Sequence, residues 1–343
     1  MKQLSILGGG ISGLSAAITL AQAHYDVTVY EKKESYNHCT PHTSVLRNYA
    51  IPTSDALQEI KTLGIDITPD NHIDHVIKIS PNYCSHVHGE KIYYSLRRGN
   101  GQESLEQQLY HIAEKQDVHF NFNSTQIKNP TIIACGHNHI PNIKGYGREY
   151  KNVPIKNNTV YLFYDNNIAP HGYLCLIPSK ENLTTVLSVV FGSAITFDVQ
   201  KEMFTKAVHE NKILKDLLED ATPQPDPIIG CSFYKKNPLQ TCIKKNTLYI
   251  GDAGGFQDAS RGFGIRYAIL TGVFAAQSII TKKPYQKILT DYFKHEFIDN
   301  YTRRTVFNTY TNTDYDRMIH DIGDKISRDQ YISIKRKNIT LDA

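Results

Sequence analysis

The chain has 343 residues, of which 40% are hydrophobic and 21% charged, with a formal net charge of +4. That length suits two domains, the composition excludes a disordered chain, and a mild charge without any dominant lysine/arginine block gives no argument for nucleic acid. Six cysteines (Cys39, Cys84, Cys135, Cys175, Cys231, Cys242) are scattered without a C-x-x-C pair. The N-terminus runs into an apolar strand and then glycine rather than a signal peptide. Both features predict free thiols in a reducing cytoplasm. No apolar run approaches the ~18–20 residues of a membrane span. The histidines at 86, 88, 137 and 139 lack carboxylate or cysteine partners at ligand spacing, so they read as surface or loop residues and not as a metal site.

In chain order, the first stretch is the most informative. Leu4 to Lys32 reads as a buried strand, a glycine turn, a helix from about Ile11, a second strand Val27–Tyr30 and then Glu31. Gly8, Gly10 and Gly13 fit G-x-G-x-x-G: a tight turn, close backbone approach to a pyrophosphate, and tight helix–strand packing. Free N–H groups and the helix dipole favour phosphate at the helix start. The Glu31 carboxylate is placed to accept from ribose hydroxyls and would repel a 2′-phosphate, which predicts FAD or NAD and not NADP.

Residues 33–52 are polar and turn-rich, suiting a loop beside the nucleotide. Leu57, Ile60 and Leu63 predict a helix capped by Thr53 or Ser54 and stopped at Gly64. Alternation from Ile73 to Tyr94 predicts strands around a loop at Pro81, and Ser104 caps a helix to Lys115 followed by a strand from Val118. Thr131–Gly136 is a short buried strand ending in glycine. Further strands are expected at 159–164, 172–177 and 184–191, then a helix from about Asp198 to Leu218, with Pro223, Pro225 and Pro227 as a stiff connector. Asn246–Asp252 is another buried strand leading through glycines into a helix from about Gly264 to Ile280. The tail from Pro284 to Lys337 is helical, and its aromatics (Tyr285, Tyr292, Phe293, Phe297, Tyr301) are spaced for packing on the body in preference to a membrane surface.

The segment Tyr249–Phe256 and the run Arg261–Gly272 form a second constellation. An aspartate after a buried strand can hold a ribityl hydroxyl, and a glycine-rich helix start can hold the anionic edge of a flavin. Here the chain resembles the flavoprotein hydroxylase superfamily, and within it the geranylgeranyl reductase family. Gly251, Asp252, Ala253, Gly255, Phe256, Gly262, Gly264, Ile265, Ala268 and Gly272 fall on that family's GD-A-x-G-F and G-x-G-I-x-x-A-x-x-S-G pattern. Pro170–Pro178 is similar to its P-x-x-Y-x-W-x-F-P segment, with Tyr173 matching and Cys175 in place of the tryptophan. The chain has no tryptophan at all, which argues against halogenation by the related W-x-W-x-I-P enzymes. Other departures are Ala259 for a proline and Cys135 for an aspartate. The stretch from Arg97 also resembles the glycine loop of amine oxidases.

The resemblance implies an α/β fold: a Rossmann-like FAD-binding domain of glutathione-reductase type, an inserted, mainly antiparallel substrate domain and a helical C-terminal tail. The expected boundaries are 1–72, 95–140 and 245–283 for the first, 73–94 and 141–244 for the second, and 284–343 for the third. It implies FAD held by Gly8, Gly10, Ile11, Ser12, Gly13, Glu31, Lys32, Arg98, Cys135, Gly136, Gly251, Asp252, Gly262, Gly264 and Ile265. Tyr173, Cys175 and a loop thiol at Cys39 are the candidates on the substrate side. The expected chemistry is reduction of a carbon–carbon double bond in an isoprenoid or other apolar small molecule. A flavin monooxygenase and a flavin-containing binding protein without turnover stay open. With no second G-x-G-x-x-G, NAD(P)H is expected only as a transient electron donor. The expected setting is cytoplasmic, with room for peripheral contact at the inner face of a membrane and no expectation about oligomeric state.

Overall fold

The computed structural model describes residues 3–34, 40–48, 55–137 and 139–341. The expected strand–helix–strand opening is present as β1 (Leu4–Leu7), α1 (Ile11–Gln22) and β2 (Val27–Tyr30). The chain continues through β3 (His42–Arg47), α2 (Ala56–Thr62), β4 (Asn71–Ile79), β5 (Cys84–Arg98), α3 (Leu105–Glu114), β6 (His119–Asn121) and β7 (Ile132–Ile133). Next come β8 (Ile143–Lys151), β9 (Thr159–Phe163), β10 (Tyr173–Pro178), β11 (Leu183–Phe191), α4 (Phe197–Glu210), α5 (Lys212–Leu218) and β12 (Thr222–Ser232). The last part is β13 (Ile243–Lys244), β14 (Thr247–Tyr249), α6 (Gly251–Gly254), α7 (Ile265–Thr281), α8 (Tyr285–Phe293), α9 (Glu296–Phe307), α10 (Asn312–Ile322), β15 (Lys325–Ser327) and α11 (Arg328–Leu341).

Two mixed sheets result. The smaller has the order β13-β14-β7-β1-β2-β6 and is parallel except for the β13–β14 hairpin. This is a Rossmann-like α/β unit. Helix α1 lies so close to α7 that a Cβ on Gly272 would sit 2.3 Å from the Ser12 carbonyl oxygen, and the alanines at 16, 17, 275 and 276 in these two helices are fully buried. The larger sheet runs β12-β8-β11-β10-β9-β4-β5-β15, with β3 also on β5, and is antiparallel apart from β4–β9 and β5–β15. One of its faces packs on α4 and α5 through Phe204, Ala207, Leu214 and Leu218. Its other face meets the C-terminal helices through Tyr315, Ile319, Ile322 and Tyr331. The tail aromatics Tyr285, Phe293 and Phe297 are buried, while Tyr292 stays partly exposed. Among the described residues, no helix is long and apolar enough to cross a membrane.

Several local expectations change. The polar stretch 33–52 is not all loop, because β3 pairs along β5 from His42–Arg98 to Arg47–Tyr93. Thr53 and Ser54 lie outside the described residues, and Asp55 caps α2, its carboxylate accepting from Leu57 N (2.9 Å) and Gln58 N (3.2 Å). The helix expected to run to Leu218 is broken at Asn211, whose side chain caps α5. The triple-proline stretch is not a connector but part of β12, the edge strand, with its irregularity between Pro223 and Pro227. An edge strand tolerates missing N–H donors that an interior strand needs.

Candidate functional site

Between the two sheets lies one cleft of ≈ 1170 Å³. Its floor comes from the smaller sheet. Gly8 has φ +107°, and a Cβ there would lie 2.5 Å from the Ala134 carbonyl carbon; a Cβ on Gly13 would lie 2.0 Å from the Gly8 oxygen. These two glycines let β1, β7 and α1 converge. Gly10 is different: a Cβ there meets nothing within 4 Å, so its bareness leaves space in the cleft. Gly8, Gly10, Ile11 and Ser12 line it, while Gly13 supports it from behind. Glu31 faces the loop, accepting from Gly9 N at 2.7 Å and Lys33 N at 3.1 Å, and Lys32, Cys135 and Gly136 complete this end. Burial pushes the Cys135 thiol up.

The far end is built by α6 and α7. Gly251 takes φ +52°, donates its N–H to Thr271 Oγ1 (3.0 Å) and would collide with Ser12 if it had a side chain. Asp252 follows, lining the cleft and accepting from Ser232 Oγ at 3.1 Å; burial pushes its carboxyl above the ordinary range. Gln257 ties Ser232 (2.9 Å) to the start of the loop, and Gly262, Gly264 and Ile265 bring the first turn of α7 to the cleft. Both helices that point into the cleft, α1 and α7, lack a side-chain cap. Helices α2, α3, α4, α5 and α10 are capped by side chains, whereas α6, α8 and α9 also lack such a cap, so what sets α1 and α7 apart is that their uncapped ends open onto the cleft. Uncapped N–H groups aimed at a cavity are what an extended, anionic dinucleotide needs. Together with the bare Gly10, these residues fit FAD.

The two arginines at the end of β5 separate in role. Arg97 is committed to Glu149 (2.5 and 3.2 Å) within the larger sheet, whereas Arg98 lines the cleft, paired with Glu106 at 2.6 Å. Burial opposes ionisation of Glu106, yet Arg98 holds its carboxyl below the usual range; its other oxygen, Oε2, is buried with no hydrogen-bond partner among the described residues. Beside this pair, burial and Arg98 lower the His42 imidazole to about 4.

The roof is one face of the larger sheet. Alternate residues of successive strands face the cleft: Val160 and Leu162, Tyr173, Cys175 and Ile177, Leu187 and Val189. Tyr173 donates its hydroxyl to the Arg261 carbonyl (2.7 Å), and burial pushes its phenol well up. Cys175 donates to the Leu187 carbonyl (3.4 Å), and burial raises its thiol to about 12, so it stays protonated. Cys39 lies outside the described residues.

The sequence reading missed the residues that clamp the loop 257–264. Asp258, with no exposed side-chain surface, accepts from Arg47 (3.0 Å), Ser260 N (2.8 Å) and Arg261 N (3.3 Å). The only signal available was an acid between the two glycine patterns. Arg47, from β3, carried none.

Residues 2–161 match the pyridine nucleotide-disulphide oxidoreductase family. The chain is 27% identical over 165 residues to a digeranylgeranylglycerophospholipid reductase of Methanococcus vannielii, covering 46% of this chain and 39% of that protein. It is 24% identical over 183 residues to one of Methanococcoides burtonii, covering 50% and 43%. The chain thus spans about two fifths of the length of these curated relatives. Among solved structures, a geranylgeranyl bacteriochlorophyll reductase-like protein of Thermoplasma acidophilum is similar over 93% of this chain and 91% of its own, with TM-score 0.76 and 16% identity. A flavin-dependent brominase gives TM-score 0.68 at 16% identity, over 97% and 93%. These structures speak to the fold. The resemblance read from the sequence, to FAD-dependent oxidoreductases of the geranylgeranyl reductase family, is the one that the comparisons return.

Proposed function

We propose that this protein is an FAD-dependent oxidoreductase that reduces carbon–carbon double bonds of an isoprenoid or similarly apolar substrate. The observation that carries the reading is the roof of the cleft: a sheet face of Val, Leu and Ile set against an uncapped helix terminus suited to a flavin. An apolar wall with few convergent polar groups favours an uncharged hydrocarbon over a polar metabolite.

In this reading Glu31 accepts from ribose hydroxyls, Gly8–Ser12 hold the pyrophosphate, Asp252 and Ser232 hold the ribityl chain, and Gly262–Ile265 hold the anionic edge of the ring. Lys32, Arg98, Cys135 and Gly136 complete the cofactor contacts. When bound and reduced, FAD would supply the hydride for the double bond, with water as the proton source. Tyr173 acts as a positioning residue, since its hydroxyl donates to the Arg261 carbonyl and so fixes the loop that would hold the flavin. Cys175 presents a neutral sulfur that keeps the substrate side uncharged. The smaller sheet with α1 and α7 is read as a glutathione-reductase-type FAD domain and the larger sheet as the substrate domain inserted into it. NAD(P)H is the proposed transient electron donor, and peripheral membrane contact the proposed route for a lipid substrate.

The test is anaerobic. The flavin of the purified protein is reduced with light, an isoprenoid lipid extract is added, and the flavin absorbance is followed. Return of the oxidised band without air is the expected result. Return only on admitting oxygen would overturn the reductase in favour of a monooxygenase or an unproductive oxidase, which hydroxylated product tells apart. A protein with no flavin band, before or after added FAD, would remove the cofactor itself.

A further inference from the structure

Two glycines in the roof have no structural reason to be glycine. Gly145 on β8 and Gly230 on β12 stand directly opposite each other in the antiparallel pair, and both line the cleft. Neither has positive φ. Among the described residues, a Cβ on Gly230 would meet nothing within 4 Å, and one on Gly145 would make only ordinary contact, at 3.5 Å, with a Leu187 methyl. Gly147 of β8, and Gly172 just before β10, behave differently: a Cβ there would lie 2.1 or 1.8 Å from a backbone oxygen. Gly230 shares its signature with Gly10, where the missing side chain leaves room for a ligand. A strand glycine that neither packing nor dihedral requires marks a close approach by something else.

We propose that Gly145 and Gly230 form a lane by which the tail of an extended hydrocarbon chain leaves the cleft across the edge of the sheet. β12 is the edge strand, and Ile229, Gly230 and Cys231 are exposed there, so Gly230 belongs at once to the cleft wall and to the outer surface. Beside it the lane is walled by Ile143, Leu187 and Val189. Its ligand class is a slender apolar chain longer than the cleft, bearing no substituent larger than methyl, such as a polyprenyl tail. The inference rests on the isoprenoid reading above and adds to it how chain length is accommodated.

The test uses the flavin-loaded protein and three probes, geraniol, farnesol and geranylgeraniol, with binding read from perturbation of the oxidised flavin spectrum. Gly230→Val is the main variant, and valine suits a strand; Gly230→Ala is the milder one. Affinity of the unaltered protein should rise with each isoprene unit. Gly230→Val should bind geraniol unchanged and geranylgeraniol about tenfold or more weaker, reflecting lost burial of the added carbons, with Gly230→Ala between. An equal effect at all three lengths, or none, overturns the lane while leaving the isoprenoid reading intact. Loss of flavin from both variants also overturns it, by assigning the space to the cofactor. If the unaltered protein binds none of the alcohols, the isoprenoid reading fails and the lane with it.

Discussion

The floor and the roof of the cleft are built on opposite principles. The floor is backbone: glycines, helix starts and a strand end, with the useful groups being N–H donors whose places are set by the path of the chain. The roof is side chains from successive strands: valine, leucine and isoleucine that contribute area, with Tyr173 and Cys175 donating to backbone carbonyls. A backbone site is intolerant at single positions, because one added atom displaces a whole segment. A side-chain wall spreads its contribution, so no single truncation removes it.

The largest effect that follows is at Gly13. Its Cβ would stand 2.0 Å from the Gly8 carbonyl oxygen and 3.2 Å from the Ala134 Cβ, and neither can retreat without parting α1 from β1. Gly13→Ala should therefore cost about 3 kcal/mol or more, at the upper end for overpacking, and the purified variant should lack the flavin band and melt earlier. A variant that keeps both flavin and melting temperature would show that the floor is more pliable than its geometry.

The next effect lies at the joint between floor and roof. Arg47 comes from β3 of the larger sheet, and Asp258 opens the loop that leads into α7. Arg47→Met leaves a fully buried carboxylate with the backbone donors of Ser260 and Arg261 but without its guanidinium partner, and breaking a buried pair costs about 3 kcal/mol. Asp258→Asn on top of it should restore part of the loss, because the uncompensated charge is then gone. Urea midpoints of the two variants check this. If the double variant is no more stable than Arg47→Met, the penalty comes from lost packing of the arginine on Phe263 and not from the charge.

Legibility followed the same division. The floor could be read because its three glycines, its acid and its helix lie within one stretch, and their spacing is itself the chemistry. Asp252 and the glycines of α7 were legible for the same reason. The roof was not. β8 carries Gly145, Gly147 and alternating charges, so its sequence shows no apolar alternation, although Lys144 and Glu149 are buried by partners elsewhere. β3 hides in a polar run because His42, Thr43 and Ser44 satisfy themselves against β5 and Thr185. The prolines of β12 mimic a linker, since only the finished sheet reveals that this strand is an edge. Arg47 and Asp258 are 211 residues apart, and no local pattern links them.

The effect that vanishes at neutral pH sits at the seam, on His42, and its sign follows from the folded environment. Burial is the main cause of its lowered value of about 4, and Arg98 and Arg97 add to it, while the Thr40 carbonyl and Glu106 oppose it. In the unfolded chain the same imidazole titrates near 6.5. Between these values the unfolded state binds a proton that the folded state does not, so this contribution to stability is complete above pH 6.5 and is lost as the pH falls toward 4. The slope is at most ~1.4 kcal/mol per pH unit for one proton. Melting temperatures measured from pH 4 to 7 should therefore fall less steeply toward acid in His42→Gln than in the unaltered protein. Parallel curves would mean that the imidazole takes up its proton in place, paired with Glu106, and that the seam is held by charge rather than by exclusion of water.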